Sequence, residues 1–368
     1  MLNRPSLLIF VDGLPFGYID NIVNGNKWSV KKPVTPGLGY SANIKAEIFA
    51  GMNPDKAGYF NEWRYSDQGK YRKLSPLLYI SSLVSPVYLL DRIAHRVWSK
   101  ILGRNLLNIP FKYLPLLEPI DLNIYSRSYR LPTIFQKTPK LRVIDHNDYY
   151  ANHMRDQKMI DEAERLISGG ISHLYISLVD LDHISHVYGP ESNEHIERIE
   201  FLSMSINSLA EKFQTKHSDG IVAVFSDHGM AKVIDSIEIN LENEFGQCNE
   251  TSYLYFKDST MLRVWCFNTD IDNEIEHFLA RRTDGMLLSE TQRQYYGVTN
   301  PDYGTHIFIL NEGLVFQPGF FGRKTPKGMH GYLPEISSQQ GILLIKGDPT
   351  VSNGVQFSRD LWKMFSKI

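Results

Sequence analysis

Five short pieces of the chain carry side chains able to do chemistry. They are Asp12; Ser41, ahead of a stretch that ends Ala50-Gly51-Met52-Asn53-Pro54; Asp182 and His186, followed by Gly189-Pro190; Ser226-Asp227-His228-Gly229; and His330-Gly331-Tyr332. Carboxylate and imidazole are ligands that zinc accepts in catalytic sites, where an open position admits a substrate oxygen. A serine hydroxyl becomes a nucleophile once a neighbouring cation or base lowers its pKa. Singly the pieces say little, since an Asp after a strand often caps the next helix. The signal is their occurrence together, in this order.

The elements that must position them alternate. Residues 7–11 (LLIFV) read as a buried strand that ends at Asp12-Gly13. Residues 173–179 end at Asp180-Leu181-Asp182, and residues 221–225 end at Ser226-Asp227-His228. Helical patterns over 159–167 and 196–213 precede the second and third strands. Such alternation predicts an α/β fold, a mainly parallel central sheet with helices on both faces. In these sheets ligands bind at the carboxyl ends of the strands, where all three acidic motifs fall.

The alternation lapses in two stretches, about 60–140 and about 245–325, read as inserted cap segments on a single catalytic domain spanning 1–368. The second carries strand-like runs at 252–256, 261–267 and 306–310. In the first, residues 87–102 read as an amphipathic helix. Val87, Leu90, Ile93, Ala94, Val97, Trp98 and Ile101 share one face, with Arg92, Arg96 and Lys100 largely off it. Two readings stand for it: a cover helix packed on the core, or an interfacial helix giving a peripheral membrane contact through 86–118. Tyr59, Trp63 and Tyr65 likewise read either as pocket lining or as packing.

Composition bounds the partners. The chain has 368 residues, 42% hydrophobic and 22% charged, with a formal net charge of -2, so nucleic acid is not an expected partner. Its two cysteines, Cys248 and Cys266, have no CxxC spacing and read as free thiols rather than a zinc finger. The N-terminal apolar run is too short for a secretory signal, and no run reaches the ~20 apolar residues of a spanning helix. The expectation is a cytoplasmic protein, with the peripheral contact left open and the oligomeric state unassigned.

The motifs resemble those of the alkaline-phosphatase superfamily, and within it the type I phosphodiesterase/nucleotide pyrophosphatase family. Ser41 stands ten residues before Gly51, with Pro54 following, where the family pattern has its nucleophile before Gly-x-x-Pro. Asp182, His186, Gly189 and Pro190 match its Asp-x-x-x-His-x-x-Gly-Pro, Asp227 to Met230 its Asp-His-Gly-Met, and His330 to Tyr332 its late His-Gly-Tyr. The resemblance covers residues 7 to about 232 and the 330–332 motif; the two insertions stand outside it. It implies two zinc ions (Mn2+ or another divalent ion being the alternative). One would be held by Asp12, Ser41, Asp227 and His228, the other by Asp182, His186 and His330. Two such ions about 3.5–4 Å apart clamp the attacking and leaving oxygens of an in-line displacement. The implied reaction is hydrolysis of a P–O bond in a small or lipid-linked phosphodiester or pyrophosphate, through a phosphoserine intermediate on Ser41. A phosphomonoesterase, a phospho-group transferase with the same site, and an inactive binding protein of the same fold are the alternatives.

One departure bears on catalysis. Family members most often carry Thr followed by Phe-Pro-Asn, the Asn donating to a phosphoryl oxygen. Here the run is Ser41-Ala42-Asn43-Ile44-Lys45, with the Asn one position early. Asn43 is the candidate for that role, and Lys45 its substitute. The x-Pro-x-Arg that sulfatases need after the nucleophile is missing. His183 reads as a support or packing residue, and Asp180 as a partner of a ligating His or a strand-end cap. His95, His146, His153 and His195 fit no motif.

Overall fold

A computed structural model of the chain describes residues 3–25, 27–85, 87–103, 106, 108–120, 123–145, 155–322 and 324–368, so His146 and His153 lie outside the described residues. The chain divides into two compact units. Unit 1 comprises Met1–Ala57, Leu122–Val233 and Pro326–Ile368; unit 2 comprises Gly58–Asp121 and Ile234–Thr325.

Unit 1 is built on a six-stranded sheet: β1 (Ser6–Val11), β2 (Val30–Val34), β3 (Arg142–Ile144), β4 (His173–Leu178), β5 (Ile221–Phe225) and β6 (Gly341–Lys346), in the order β2-β6-β5-β1-β4-β3. The three central strands are buried on both faces, as their unbroken apolar runs require. β1 pairs in parallel with β4 and β5, and β3 in parallel with β4, whereas β6 runs antiparallel to β5 and β2. This is the expected α/β architecture with a mostly parallel sheet. Register is what matters for function. Val11 stands opposite Leu178 and Phe10 opposite Phe225, so the loops carrying Asp12, Asp182 and Asp227 leave the sheet at one edge.

Four helices of unit 1 bear on that edge: α1 (Ser41–Ala50), α2 (Arg155–Ser168), α3 (Asp180–Tyr188) and α4 (Asn193–Lys216). α4 starts where the Ser192 side chain accepts from the His195 N–H, and its stripe Ile199, Leu202, Ile206, Leu209 and Phe213 is buried in the same core as Met159, Ile160 and Ala163 of α2. Burying each such large aliphatic side chain stabilises the fold by about 1.5–3 kcal/mol.

Unit 2 has its own sheet, antiparallel in the order Tyr253–Lys257, Met261–Cys266, His306–Leu310, Gly285–Leu287. Trp63 is wholly buried in its core and Tyr65 packs against that core, so both serve packing; Tyr59 is buried too. Two successive helices, Ser75–Val84 and Tyr88–Leu102, belong to this unit. The apolar face expected on the second is divided: Trp98 is buried, whereas Leu90, Ile93, Val97 and Ile101 are exposed. Among the described residues no helix is long and apolar enough to cross a membrane.

Candidate metal centre

Each motif contributes its side chain through a local device. Gly13 follows Asp12 with φ +69°, and a Cβ there would lie 3.0 Å from Asp182 Oδ1, so the turn admits only glycine if the two acidic loops are to approach. The Gly13 N–H donates to Asp227 Oδ1 (3.2 Å), as does the His228 N–H (3.1 Å). Gly229 permits equally close packing, since a Cβ would lie 2.1 Å from the Ser338 carbonyl oxygen. Ser41 is the first residue of α1, at the positive end of a ten-residue helix.

The seven residues singled out in the sequence gather here. Ser41 Oγ lies 3.0 Å from His228 Nε2, which is itself 3.6 Å from Asp12 Oδ1 and 3.5 Å from Asp227 Oδ2. Asp182 Oδ1 lies 3.3 Å from His186 Nε2 and 3.8 Å from His330 Nε2. The two halves meet where the His228 and His330 rings stack, centroids 3.6 Å apart and 12° from parallel. Two groups thus have ligand atoms within 4.8 Å of one another: Asp12, Asp227 and His228; and Asp182, His228 and His330.

The hydrogen bonds set the histidine tautomers. His228 Nδ1 faces the Gly229 carbonyl and His186 Nδ1 the Gly328 carbonyl, both at 2.8 Å. A carbonyl only accepts, so each Nδ1 carries a proton, and in the neutral ring each Nε2 turns a lone pair toward the centre. The carboxylates lack what would balance them. Asp12 Oδ1, Asp182 Oδ1 and Asp227 Oδ2 are buried and accept no hydrogen bond. Buried orphan acceptors are rare, and a divalent cation satisfies this donor set of carboxylates and imidazoles.

The electrostatics agree. Burial, then the like charge of Asp12, pushes the Asp227 carboxyl up to about 6. Burial works against the charged form of Asp182, but His186, His330 and His228 outweigh it and hold the group well below the usual carboxylate range. For His186 burial lowers the pKa, while Asp182 and the Gly328 carbonyl together lift it to about 9. Burial and the neighbouring His228 keep His330 neutral.

Asn43 and Lys45 part company. Asn43 is buried and its amide donates to the Leu38 carbonyl (3.2 Å). Lys45 Nζ donates to Asp12 Oδ2 at 2.8 Å and sits 5.2 Å from the Phe10 ring centroid. Burial acts to lower the ammonium's pKa, yet Asp12, Tyr125 and Asp227 raise it above the ordinary lysine value. Its spacing of four from Ser41 is the sequence signal for this placement. Asp180 turns elsewhere, accepting from Arg155 Nε and the Asp156 N–H (both 3.1 Å), and His183 is exposed. His195 is buried against Ser185, and His95 between the carbonyls of Asp91 and Ile109. In unit 2 Cys266, Asp272 and His306 form another close group, but there Asp272 already accepts from His306 (2.6 Å).

This fold, with its sheet edge lined by Asp and His, is the alkaline-phosphatase-like one. The chain belongs to the type I phosphodiesterase/nucleotide pyrophosphatase family, whose model matches residues 95–332, and is a phosphoric ester hydrolase of that type. Murine ectonucleotide pyrophosphatase/phosphodiesterase 5 shares the fold at 12% identity and TM-score 0.65, over 99% of this chain and 94% of that one. The human counterpart gives 13%, 0.63, 99% and 94%. Phosphonoacetate hydrolase from Sinorhizobium meliloti 1021, in complex with phosphonoformate, gives 12%, 0.69, 100% and 96%. No curated protein matches the sequence.

Proposed function

We propose that the chain is a cytoplasmic, divalent-metal-dependent phosphodiesterase or pyrophosphatase that cleaves a P–O bond of a small or lipid-linked substrate through a phosphoserine on Ser41. The observation that carries this is Ser41 Oγ at a helix N-terminus, 3.0 Å from His228 Nε2, beside three buried carboxylate oxygens that accept no hydrogen bond. Asp12, Asp227, His228 and Ser41 would hold one ion, and Asp182, His186 and His330 the other; zinc suits this ligand set. When bound, such a pair supplies Lewis acidity, which lowers the pKa of a hydroxyl and offsets charge on phosphoryl and leaving oxygens.

The chain's own groups do the rest. Ser41 Oγ attacks phosphorus in line as the bond to the leaving oxygen breaks, and water attacks the phosphoserine from the opposite side to free the serine. The N-terminus of α1 favours the phosphoryl charge. Lys45, one turn after Ser41 and one position beyond the family's Asn, adds a fixed positive charge in that donor's stead, and Asn43 holds the loop before the helix through Leu38. A structure of the murine relative, in its inactive form, contains AMP, which makes a nucleoside phosphoester a first substrate to try.

The test is turnover of zinc-loaded protein on p-nitrophenyl phosphate, bis-p-nitrophenyl phosphate, a nucleotide sugar and a polyprenyl diphosphate sugar. Diester or pyrophosphate preference is expected; a clear monoester preference overturns the assignment. Ser41→Ala should abolish turnover with metal content nearly intact, and a Ser41→Ala enzyme that still turns over removes the serine from its role.

A further inference from the structure

Of the 18 large hydrophobic side chains exposed among the described residues, 11 lie between Leu77 and Ile101. Ten of them sit on the two successive helices of unit 2, Ser75–Val84 and Tyr88–Leu102, and the other, Val87, is the N-cap of the second. Neither helix needs them for its own packing. Leu78 and Trp98 are the inward residues, both in the core of unit 2, and Trp98 Nε1 donates to Ser81 Oγ (2.8 Å), tying one helix to the other. His95 is fastened inward too, its ring nitrogens 3.0 Å from the carbonyls of Asp91 and Ile109.

The Tyr88–Leu102 helix is divided into three sectors. At 3.6 residues per turn, His95, Trp98 and Asp91 form the inward arc. Leu90, Ile93, Val97 and Ile101 form an outward apolar row, with Ile101 64% exposed. Arg92, Arg96 and Lys100, four residues apart and all exposed, run as a basic row along its side. The acidic complement is missing: Ser75–Val84 contains no charged residue, and the single acid of Tyr88–Leu102, Asp91, is turned toward His95 at 3.3 Å.

We infer that these two helices dock the protein on an anionic lipid bilayer surface, lying in the interface plane. A protein interface would be expected to cover its apolar centre with few charges and a polar rim. A continuous apolar row flanked by one sign of charge is the pattern of an interfacial helix, in which the apolar side chains enter the acyl boundary and the Arg and Lys stems extend to the phosphates. With 15 residues the second helix is about 22 Å long, enough to lie on the surface and too short to cross.

Flotation of the full chain with phosphatidylcholine vesicles, with and without phosphatidylglycerol, at low and high salt, tests this. The wild type should float with the anionic vesicles at low salt, and high salt should weaken it. Ile93→Glu/Ile101→Glu and, separately, Arg92→Glu/Arg96→Glu/Lys100→Glu should each lose about tenfold or more in partitioning. Turnover of a soluble substrate, unchanged in both variants, certifies that they fold. Absence of wild-type binding to anionic vesicles overturns the inference, as does equal binding by folded variants. A self-associating wild type, made monomeric by Ile93→Glu/Ile101→Glu and not bound to vesicles, also overturns it and assigns the face to a second copy of the chain.

Discussion

Asn43 and Lys45 stand two residues apart on α1 yet face different ways. At about 100° per residue, Lys45 returns to within about 40° of Ser41, whereas Asn43 lies about 160° from it the short way round. The helix begins at Ser41 itself, so this geometry is fixed from that residue onward. Lys45 therefore sees Asp12, and Asn43 sees Leu38. Replacing Lys45 by Met removes a buried positive charge one helical turn from Ser41, where the proposed phosphoryl transfer would develop charge. Loss of one such group typically costs about 10²–10³ in kcat. The same change removes a cation that competes for Asp12, so metal affinity should hold or rise. Titrating metal content beside kcat separates the effects: if both fall together, Lys45 serves to hold the Asp12 loop and has no role toward phosphate.

At the scale of elements, α1 is anchored from behind by Glu47, which accepts a hydrogen bond from Ser358 Oγ in the 3-10 turn Ser358–Asp360. Burial pushes its carboxyl up to about 7 from an ordinary 4.5, and Glu47 Oε1 is a buried acceptor without a hydrogen bond. Folded Glu47 thus keeps its proton across a range in which an unfolded Glu releases it. The folded state binds more protons between those two values, so the stability contribution is full below about 4.5 and is lost as pH rises through about 7. The loss amounts to at most about 3 kcal/mol. Glu47→Gln keeps an acceptor for Ser358 without a charge to desolvate. Urea unfolding at pH 5 and pH 8 should show the variant gaining on the wild type at the higher pH. A gap between the two proteins that stays constant with pH would mean that Glu47 titrates like an exposed acid.

Elements also mark where sequence reading stops. The strands at 7–11, 173–179 and 221–225 are legible because their unbroken apolar runs and terminal acids reflect two-sided burial and a shared edge. The helix at 87–102 is legible as a helix, but its apolar arc is wider than one contact face. Periodicity does not distinguish Trp98, which meets the core, from Ile93 and Ile101, which meet solvent. Asp12, Asp182, His186, Asp227 and His228 stand out through motif spacing. That Lys45 touches Asp12, or that Gly13 lets two acidic loops approach, depends on contacts between residues 33 and 169 positions apart.

For the whole molecule, His330 is the last of the candidate ligands along the chain, stacked on His228 and reached only after all of unit 2 has been passed in the sequence. The candidate centre nevertheless lies wholly within unit 1, on loops drawn from Asp12, Ser41, Asp182, Asp227 and His330. Without cations the cluster strains that unit, since Asp12 and Asp227 are buried like charges and three carboxylate oxygens lack donors. Ions bound by the folded centre and not by the unfolded chain stabilise it by mass action, about 2.7 kcal/mol for free ion at 100 times its Kd. Unit 2 has a separate core, formed by Trp63, Phe256 and Phe308 among others, and offers that ion none of these ligands. Hydrogen exchange should therefore respond locally. Zinc added to chelator-treated protein should slow exchange at Gly13, at His228 and in the first turns of α1, with amides of Tyr253–Lys257 unchanged. Protection confined to unit 2 would move the metal to Cys266, Asp272 and His306, and no change anywhere would leave the seven residues without a cation to hold.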